Sequence, residues 1–253
     1  MIHPRVIPCL LLKNDGLVKT VKFKNSAYVG DPINAVKIFN EKEVDELILL
    51  DIEASKNHKQ PNYDFIHKIA TECFMPFCYG GGITTIDQVQ KIFRLGAEKV
   101  SINSAFIENG NIIKETSRSF GSQSIVVSID VKKSITGKYR VYDHKRKKLL
   151  RTDPIEFSRK AESSGAGEIL INSVDQDGMM AGLDIKLIKA VSKAVYIPVI
   201  ACGGARSLPD IRQGIKEGGA SAVAAGSMFV FQGKHKAVLI NYPEYNEIIK
   251  MLE

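Results

Sequence analysis

Residues 124–131 read SIVVSIDV, a mainly apolar, β-branched run with an aspartate, Asp130, next to its end. A strand with one face in water alternates apolar and polar residues. A run that stays apolar at successive positions belongs to a strand covered on both sides, as in a parallel sheet with helices packed outside it. Working outward, the same character recurs in VIPCLL (6–11), ELILLDI (46–52), PFCYG (76–80), KVSIN (99–103), EILINSV (168–174), IPVIAC (197–202) and SAVAAG (221–226). Segments of helical period lie between them, among them DPINAVKIFNEKEV (31–44), TIDQVQKIFRLG (85–96), DPIEFSRKAESSG (153–165) and SLPDIRQGIKEGG (207–219). Several open on Asp, Ser or Thr followed by Pro or an acidic residue, and close on Gly, as helix caps require. Eight βα units in 253 residues predict one α/β domain over 1–253, a closed (β/α)8 barrel of the TIM type. An open doubly wound sheet is the alternative topology.

The second half of the chain echoes the first. LLDIEAS (49–55) resembles INSVDQDG (171–178), YGGGI (79–83) resembles ACGGA (201–205), and SINSAF (101–106) resembles AAGSMF (224–229). All three matches fall in the same order at an offset near half the chain, which predicts two fused half-barrels.

Hydrophobic residues make up 44 % of the chain, enough for a large core and too many for disorder. The opening MIHPRVIPCLLLKNDG holds an apolar run too short to span a membrane and no small-residue cleavage site, so a cytoplasmic location is expected. The four cysteines, Cys9, Cys73, Cys78 and Cys202, form no C-x-x-C pair and no metal-ligand spacing with the five histidines. A reduced compartment is expected, and neither a metal nor another cofactor. The net charge of +7 raises nucleic-acid binding, but between Lys132 and Arg151 alone stand nine Lys/Arg residues against one acidic residue, Asp143. A local excess of this kind suits a small anionic ligand or a partner protein better than a nucleic-acid track.

In a barrel the loops after the strands build the site. Phosphate binding there needs backbone N–H groups at a helix start and glycines that let the backbone approach. Gly81 and Gly82, just before a helix start at Thr84, supply this, and Asn103 and Ser104 after the next strand add polar side chains. The second half offers Asp177, Gly178, Gly203, Gly204, Gly226 and Ser227. Any one of these glycines alone reads as a strand-to-helix turn. The pairing of both sets predicts two anion sites, one per half, and a ligand with a phosphate at each end.

Asp130 falls at a strand end between the two sites, where a carboxylate can act as general acid or base. A helix cap or an ion pair to Lys132 is the structural alternative. The corresponding position at the end of VIPCLL is Leu11, which has no proton to give. Asp51 and Asp175 are the remaining strand-end carboxylates and are expected to orient substrate hydroxyls. His58 and His144 lie in polar stretches and read as solvated loop histidines.

Arg5, Glu46, Lys99 and Glu168 stand at or just before strand starts, on the opposite face. Two positive and two negative charges there can neutralise one another as a ring closing the barrel floor. The segment Lys132–Arg151 with its alternating YRVYDH reads as a β-hairpin flap over the mouth, fit to steer a bis-anionic substrate. The stretch Asp15–Lys19 after the first strand is a second flap candidate, with Lys19 reaching a ligand.

Taken together, RVIPCL, VGDP (29–32), DELILLDIEAS, GGGI, GAEKVSINSA (96–105), IDVK, GAGEIL (165–170), DQDG, GLD (182–184), IPVIACGGA and AAGSMF resemble the cyclase subunit of imidazole glycerol phosphate synthase over nearly the whole chain. The resemblance implies a two-phosphate site on the glycine and Asn/Ser positions above. It also implies a glutaminase partner docked on the barrel floor, with ammonia passing up through the core. Arg5, Glu46, Lys99 and Glu168 match the family's ammonia gate, Asp130 one of its two catalytic acid/base residues, and Glu98 an interface aspartate.

This sequence departs from the pattern at four places. Leu11 stands where the family has its other catalytic aspartate, Met179-Met180 where it has Thr-Lys, Asn172 where it has a threonine, and Glu98 where it has that interface aspartate. Such a pattern is similar to cyclase-like paralogues of surface-polysaccharide gene sets, which with a glutaminase supply ammonia to a sugar amidotransferase that makes an acetamidino sugar. A lyase of histidine biosynthesis and a non-catalytic ammonia conduit are the alternatives. A small phosphorylated or anionic substrate is expected, and no nucleic acid or membrane.

Overall fold

The computed structural model describes residues 4–252. The chain starts with β1 (Arg5–Lys13), β2 (Gly16–Val21) and β3 (Lys24–Gly30), followed by α1 (Pro32–Glu41), β4 (Leu47–Asp51), α2 (Tyr63–Glu72) and β5 (Phe77–Gly80). It continues with α3 (Ile86–Arg94), β6 (Lys99–Ile102), α4 (Ser104–Glu108), α5 (Asn111–Phe120), β7 (Ile125–Lys133), β8 (Tyr139–Asp143) and β9 (Lys148–Leu149). The last third holds α6 (Pro154–Ser163), β10 (Glu168–Ser173), α7 (Ile185–Ser192), β11 (Val199–Cys202), α8 (Leu208–Lys216), β12 (Ala222–Ala225), α9 (Ser227–Val230), β13 (Phe231–Gln232), β14 (Ala237–Val238) and α10 (Tyr245–Leu252).

Strands β1, β4, β5, β6, β7, β10, β11 and β12 pair in parallel, each with the next, and β12 pairs back to β1. The ring is therefore closed, and the expected (β/α)8 barrel is the observed fold. Closure explains the continuous apolar runs. Alternate side chains of each strand point inward and outward, and both directions are buried. Ile7, Ile48, Cys78, Val126, Leu170 and Ile200 fill the barrel interior, while Val6, Leu47, Leu49, Phe77 and Val127 pack outward with the helices. Burying each large aliphatic side chain contributes about 1.5–3 kcal/mol.

The helix starts follow the capping residues. Asp31 accepts the Asn34 N–H at 2.9 Å, Asp153 the Ile155 N–H at 2.8 Å, and Thr85 forms a reciprocal box with Gln88. Each such cap is worth about 1 kcal/mol. The helix expected over 31–44 stops earlier, at Glu41, because the chain turns through a left-handed Glu43 at φ 50°.

The two halves are built alike. β1 and β7 are each nine residues long and rise beyond the barrel into an antiparallel partner, with Leu11 opposite Val18 and Val131 opposite Val141. Both flaps expected over the mouth are thus hairpins. The short helices α4 and α9 likewise follow β6 and β12 at matching places. Among the described residues no helix is long and apolar enough to cross a membrane.

Candidate functional site at the barrel mouth

A cavity of about 530 Å³ opens where the barrel strands end. It is bordered by the β2–β3 hairpin on one side and by Tyr142, His144 and Lys147 of the other flap. Every residue expected to grip phosphate lines it: Gly81, Gly82, Asn103 and Ser104 in the first half, and Asp177, Gly178, Gly203, Gly204, Gly226 and Ser227 in the second. Gly81 is required by space and by conformation. Its φ is 122°, and a Cβ there would lie 2.5 Å from the Asp51 carbonyl oxygen. Gly203 and Gly204 also have positive φ, at 95° and 106°. Bends of this kind can turn backbone N–H groups toward an anion, although that of Gly82 is given to Ser55 Oγ at 3.1 Å.

Lys19 and Asp51 line the cavity as expected. Lys19 is buried, its Nζ donates to the Cys9 carbonyl oxygen at 2.8 Å, and burial pushes its pKa down against the pull of Asp177. Asp51 accepts the backbone N–H groups of Glu53 and Ala54, both at 2.9 Å; burial nonetheless raises its pKa. Burial also raises the pKa of Asp177, whose carboxylate accepts the Thr20 hydroxyl at 3.0 Å. Asp175 departs from expectation. It does not line the cavity, and its carboxylate accepts the Lys133 N–H at 2.8 Å, which ties the β7 flap to the end of β10.

Asp130 is buried, and its Oδ2 accepts Asn103 Nδ2 at 2.9 Å and meets His144 Nδ1 at 3.1 Å. Its partners are therefore neither Lys132 nor a helix end. His144 corrects the reading of a solvated loop histidine: the antiparallel return of β8 along β7 folds it back over the strand end that carries Asp130. The alternation of YRVYDH carried that signal, because pairing it against the end of IDVKK brings the histidine to the cavity. His58 is exposed, as read. The β1 side of the cavity carries Leu11, with Leu50 and Cys9 beside it, and no acid there matches Asp130.

At the other end of the barrel, Arg5 bonds Glu46 and, at 2.7 Å, Glu168, while Lys99 bonds Glu46 at 3.0 Å and Glu168 at 3.1 Å. The four side chains form one closed ring of alternating charge. Burial opposes the charge on Arg5, but the two carboxylates outweigh it and raise its pKa. Glu98 is exposed on the same end, with its carboxylate accepting the Phe77 N–H at 2.9 Å. Phe74 and Tyr196, in the turns that lead into β5 and β11 on opposite sides of the ring, are 86 % and 101 % exposed there.

A family model described as histidine biosynthesis protein matches residues 5–236, nearly the whole barrel. The chain belongs to this family. A protein of Pseudomonas aeruginosa is 53 % identical over 248 residues, covering 98 % of this chain and 99 % of its own; it is named, provisionally, as imidazole glycerol phosphate synthase subunit hisF2. One of Vibrio vulnificus, with the same provisional name and the suffix hisF3, is 50 % identical over 254 residues, covering 100 % of this chain and 98 % of its own. One of Leptospira borgpetersenii, provisionally subunit HisF, is 49 % identical over 244 residues and covers 96 % of each chain. The chain is thus a paralogue-like member of the cyclase-subunit family, and that family membership covers the strands that carry both the mouth and the floor ring.

Proposed function

We propose that this chain is the ammonia-using barrel subunit of a glutamine amidotransferase complex. In this reading a glutaminase docks on the floor, and ammonia passes the Arg5–Glu46–Lys99–Glu168 ring, rises through the core and is delivered at the mouth for amination. The observation that carries it is the closed ring beneath an apolar interior. Glu46 spends one carboxylate oxygen on both cations and keeps the other buried with no partner among the described residues, an acceptor fit for a small N–H donor. The inner layer above it, with Ala222 and Ala224 on β12, is lined by small or aliphatic side chains that suit a neutral molecule of ammonia's size. Exposed Phe74 and Tyr196, with Glu98 beside β5, supply a face for the glutaminase.

The amination we assign is that of an acetamido to an acetamidino sugar for a lipopolysaccharide or other surface polysaccharide, in the cytoplasm, with a sugar amidotransferase as third protein. Leu11 favours this over ring closure in histidine biosynthesis. Ring opening and closure call for proton transfer by two groups, each worth roughly 10²–10⁴-fold. Asp130 matches one of the two acid/base positions that the resemblance implies, and the other is Leu11, while the neighbouring strand-end carboxylate of Asp51 is turned onto the backbone N–H groups of Glu53 and Ala54. The names of the relatives favour the histidine reaction, and that reading makes the opposite prediction.

The test is rescue of a histidine auxotroph deleted for its own cyclase, run beside reconstitution with the glutaminase and the sugar amidotransferase. Failure to rescue, with glutamine-dependent amidino-sugar formation, is expected. Rescue at normal growth rate overturns the sugar assignment.

A further inference from the structure

The mouth holds an acid/base assembly made by the flap rather than by the barrel strands alone. His144 Nδ1 lies 3.1 Å from Asp130 Oδ2, and His144 Nε2 lies 3.5 Å from Ser104 Oγ. The imidazole is therefore held between a buried carboxylate and a hydroxyl of the first anion grip. A carboxylate only accepts, so the neutral ring keeps its proton on Nδ1 and leaves Nε2 as a bare acceptor. All three residues line the cavity.

Two amide oxygens beside this assembly, Asn103 Oδ1 and Asn172 Oδ1, are buried with no partner among the described residues. Asn103 is bonded to Asp130 through its nitrogen, and Asn172 is the register partner of Asp130 on β10. Both lack an N–H donor, and a buried acceptor left without one costs about 1–3 kcal/mol. A ligand nitrogen carrying hydrogens would supply it.

The titratable groups around the imidazole come from three elements and the turn after β8. Asp130 and Lys132 come from β7, Tyr142 and Asp143 from β8, and Glu108 from α4, with Lys145, Arg146 and Lys147 in the turn after β8. Glu108 pairs with Lys145 and Arg146, and Asp143 with Arg146, so these charges offset one another. Asp130 is the charge in direct contact. Burial works against the imidazolium, but Asp130 more than offsets it, and the pKa of His144 lies above its ordinary value.

We propose that His144 is the catalytic base of the mouth, taking a proton from ammonia as its nitrogen attacks an electrophilic C=O or C=N carbon of a phosphorylated ligand, with Asp130 holding the ring for that step. The nitrogen lone pair forms the C–N bond, and the carbon's π pair moves to its heteroatom. One N–H bond breaks, and that proton goes to Nε2. The imidazolium then returns the proton to the heteroatom, so nothing is oxidised or reduced. Uptake and return both occur on the β7 side, and the apolar β1 side with Leu11 needs no acid. The inference rests on the reading that ammonia arrives from the core.

The test joins a titration with a turnover assay. With isotope-labelled histidine, His144, assigned through His144→Gln, is expected to titrate above the ordinary 6.5. Its titration should fall in Asp130→Asn and shift when ribulose bisphosphate is added. A His144 titration indifferent to both overturns the proposal. In the complex with glutaminase and sugar amidotransferase, His144→Gln is expected to lower ammonia-dependent turnover roughly 10²–10⁴-fold, and Asp130→Asn to move the acid limb of the pH profile downward. A His144→Gln complex within about threefold of wild type overturns it, since one lost proton transfer costs far more. An inactive wild-type complex counts against the proposed function instead, and the titration then decides the role of His144.

Discussion

Glu46 and Glu168 are bridged twice, once through Arg5 and once through Lys99, so that no charge in the ring depends on a single partner. Removing one carboxylate leaves two cations sharing the other at the floor. Breaking a buried pair in this way costs about 3–5 kcal/mol. The partial exposure of Arg5 (23 %) and Lys99 (17 %) puts Glu46→Gln at the lower end of that range. Urea unfolding measures it. In the assembled complex the same variant should lower glutamine-dependent turnover more than turnover with added ammonium salt.

Leu11→Asp places a carboxylate on the β1 side of the cavity beside Leu50 and Cys9. The stability loss is expected to be about 1–3 kcal/mol, the cost of a polar group set among apolar neighbours. In exchange the cavity gains an acid on β1, across from Asp130 on β7. Ring-closing activity with ammonium salt should rise above wild type, and growth of a cyclase-deleted auxotroph reads the gain.

The raised pKa of His144 sets the sign of a pH effect on stability. A group whose pKa is higher folded than unfolded stabilises the fold fully below its unfolded value, and that contribution is lost as pH rises through the folded value. Wild type should therefore exceed His144→Gln in stability most below 6.5, the ordinary value, and the gap should narrow as pH climbs past the raised folded value. Thermal unfolding of both proteins across this range checks the direction.

Gly81→Ala sets a Cβ 2.5 Å from the Asp51 carbonyl oxygen at a φ of 122°. Backbone forced into such a region costs about 1–3 kcal/mol. The variant should be less stable by that amount and bind inorganic phosphate more weakly, as read by calorimetry, because the bend that presents N–H groups must shift.

The barrel was legible in the sequence because burial on both faces keeps strands such as 124–131 and 46–52 mainly apolar without strict alternation, their charged residues falling at or near the strand ends. The gathering of the paired glycines at one cavity was legible from their place after the strands, and the floor ring from charges placed just ahead of apolar runs. What stayed hidden depends on pairing between segments. His144 reaches Asp130 only through the hairpin register of Val131 with Val141. Asp175 is drawn away from the cavity by a single backbone N–H, that of Lys133. Neither partner can be read from the spacing of residue types along one strand.

The β2–β3 hairpin is fastened across the mouth: Lys22 N–H donates to the Asp177 carbonyl oxygen at 2.9 Å, and the Thr20 hydroxyl to the Asp177 carboxylate at 3.0 Å. At about 0.5–1.5 kcal/mol per bond, opening this clasp takes roughly 1–3 kcal/mol. With a tenfold change for every 1.4 kcal/mol, that lengthens the stay of a molecule beneath it by roughly five- to hundredfold. Dwell time in the cavity is thus expected to depend on a clasp between a hairpin of the first half and an aspartate of the second, and loosening it through Thr20→Val should speed departure.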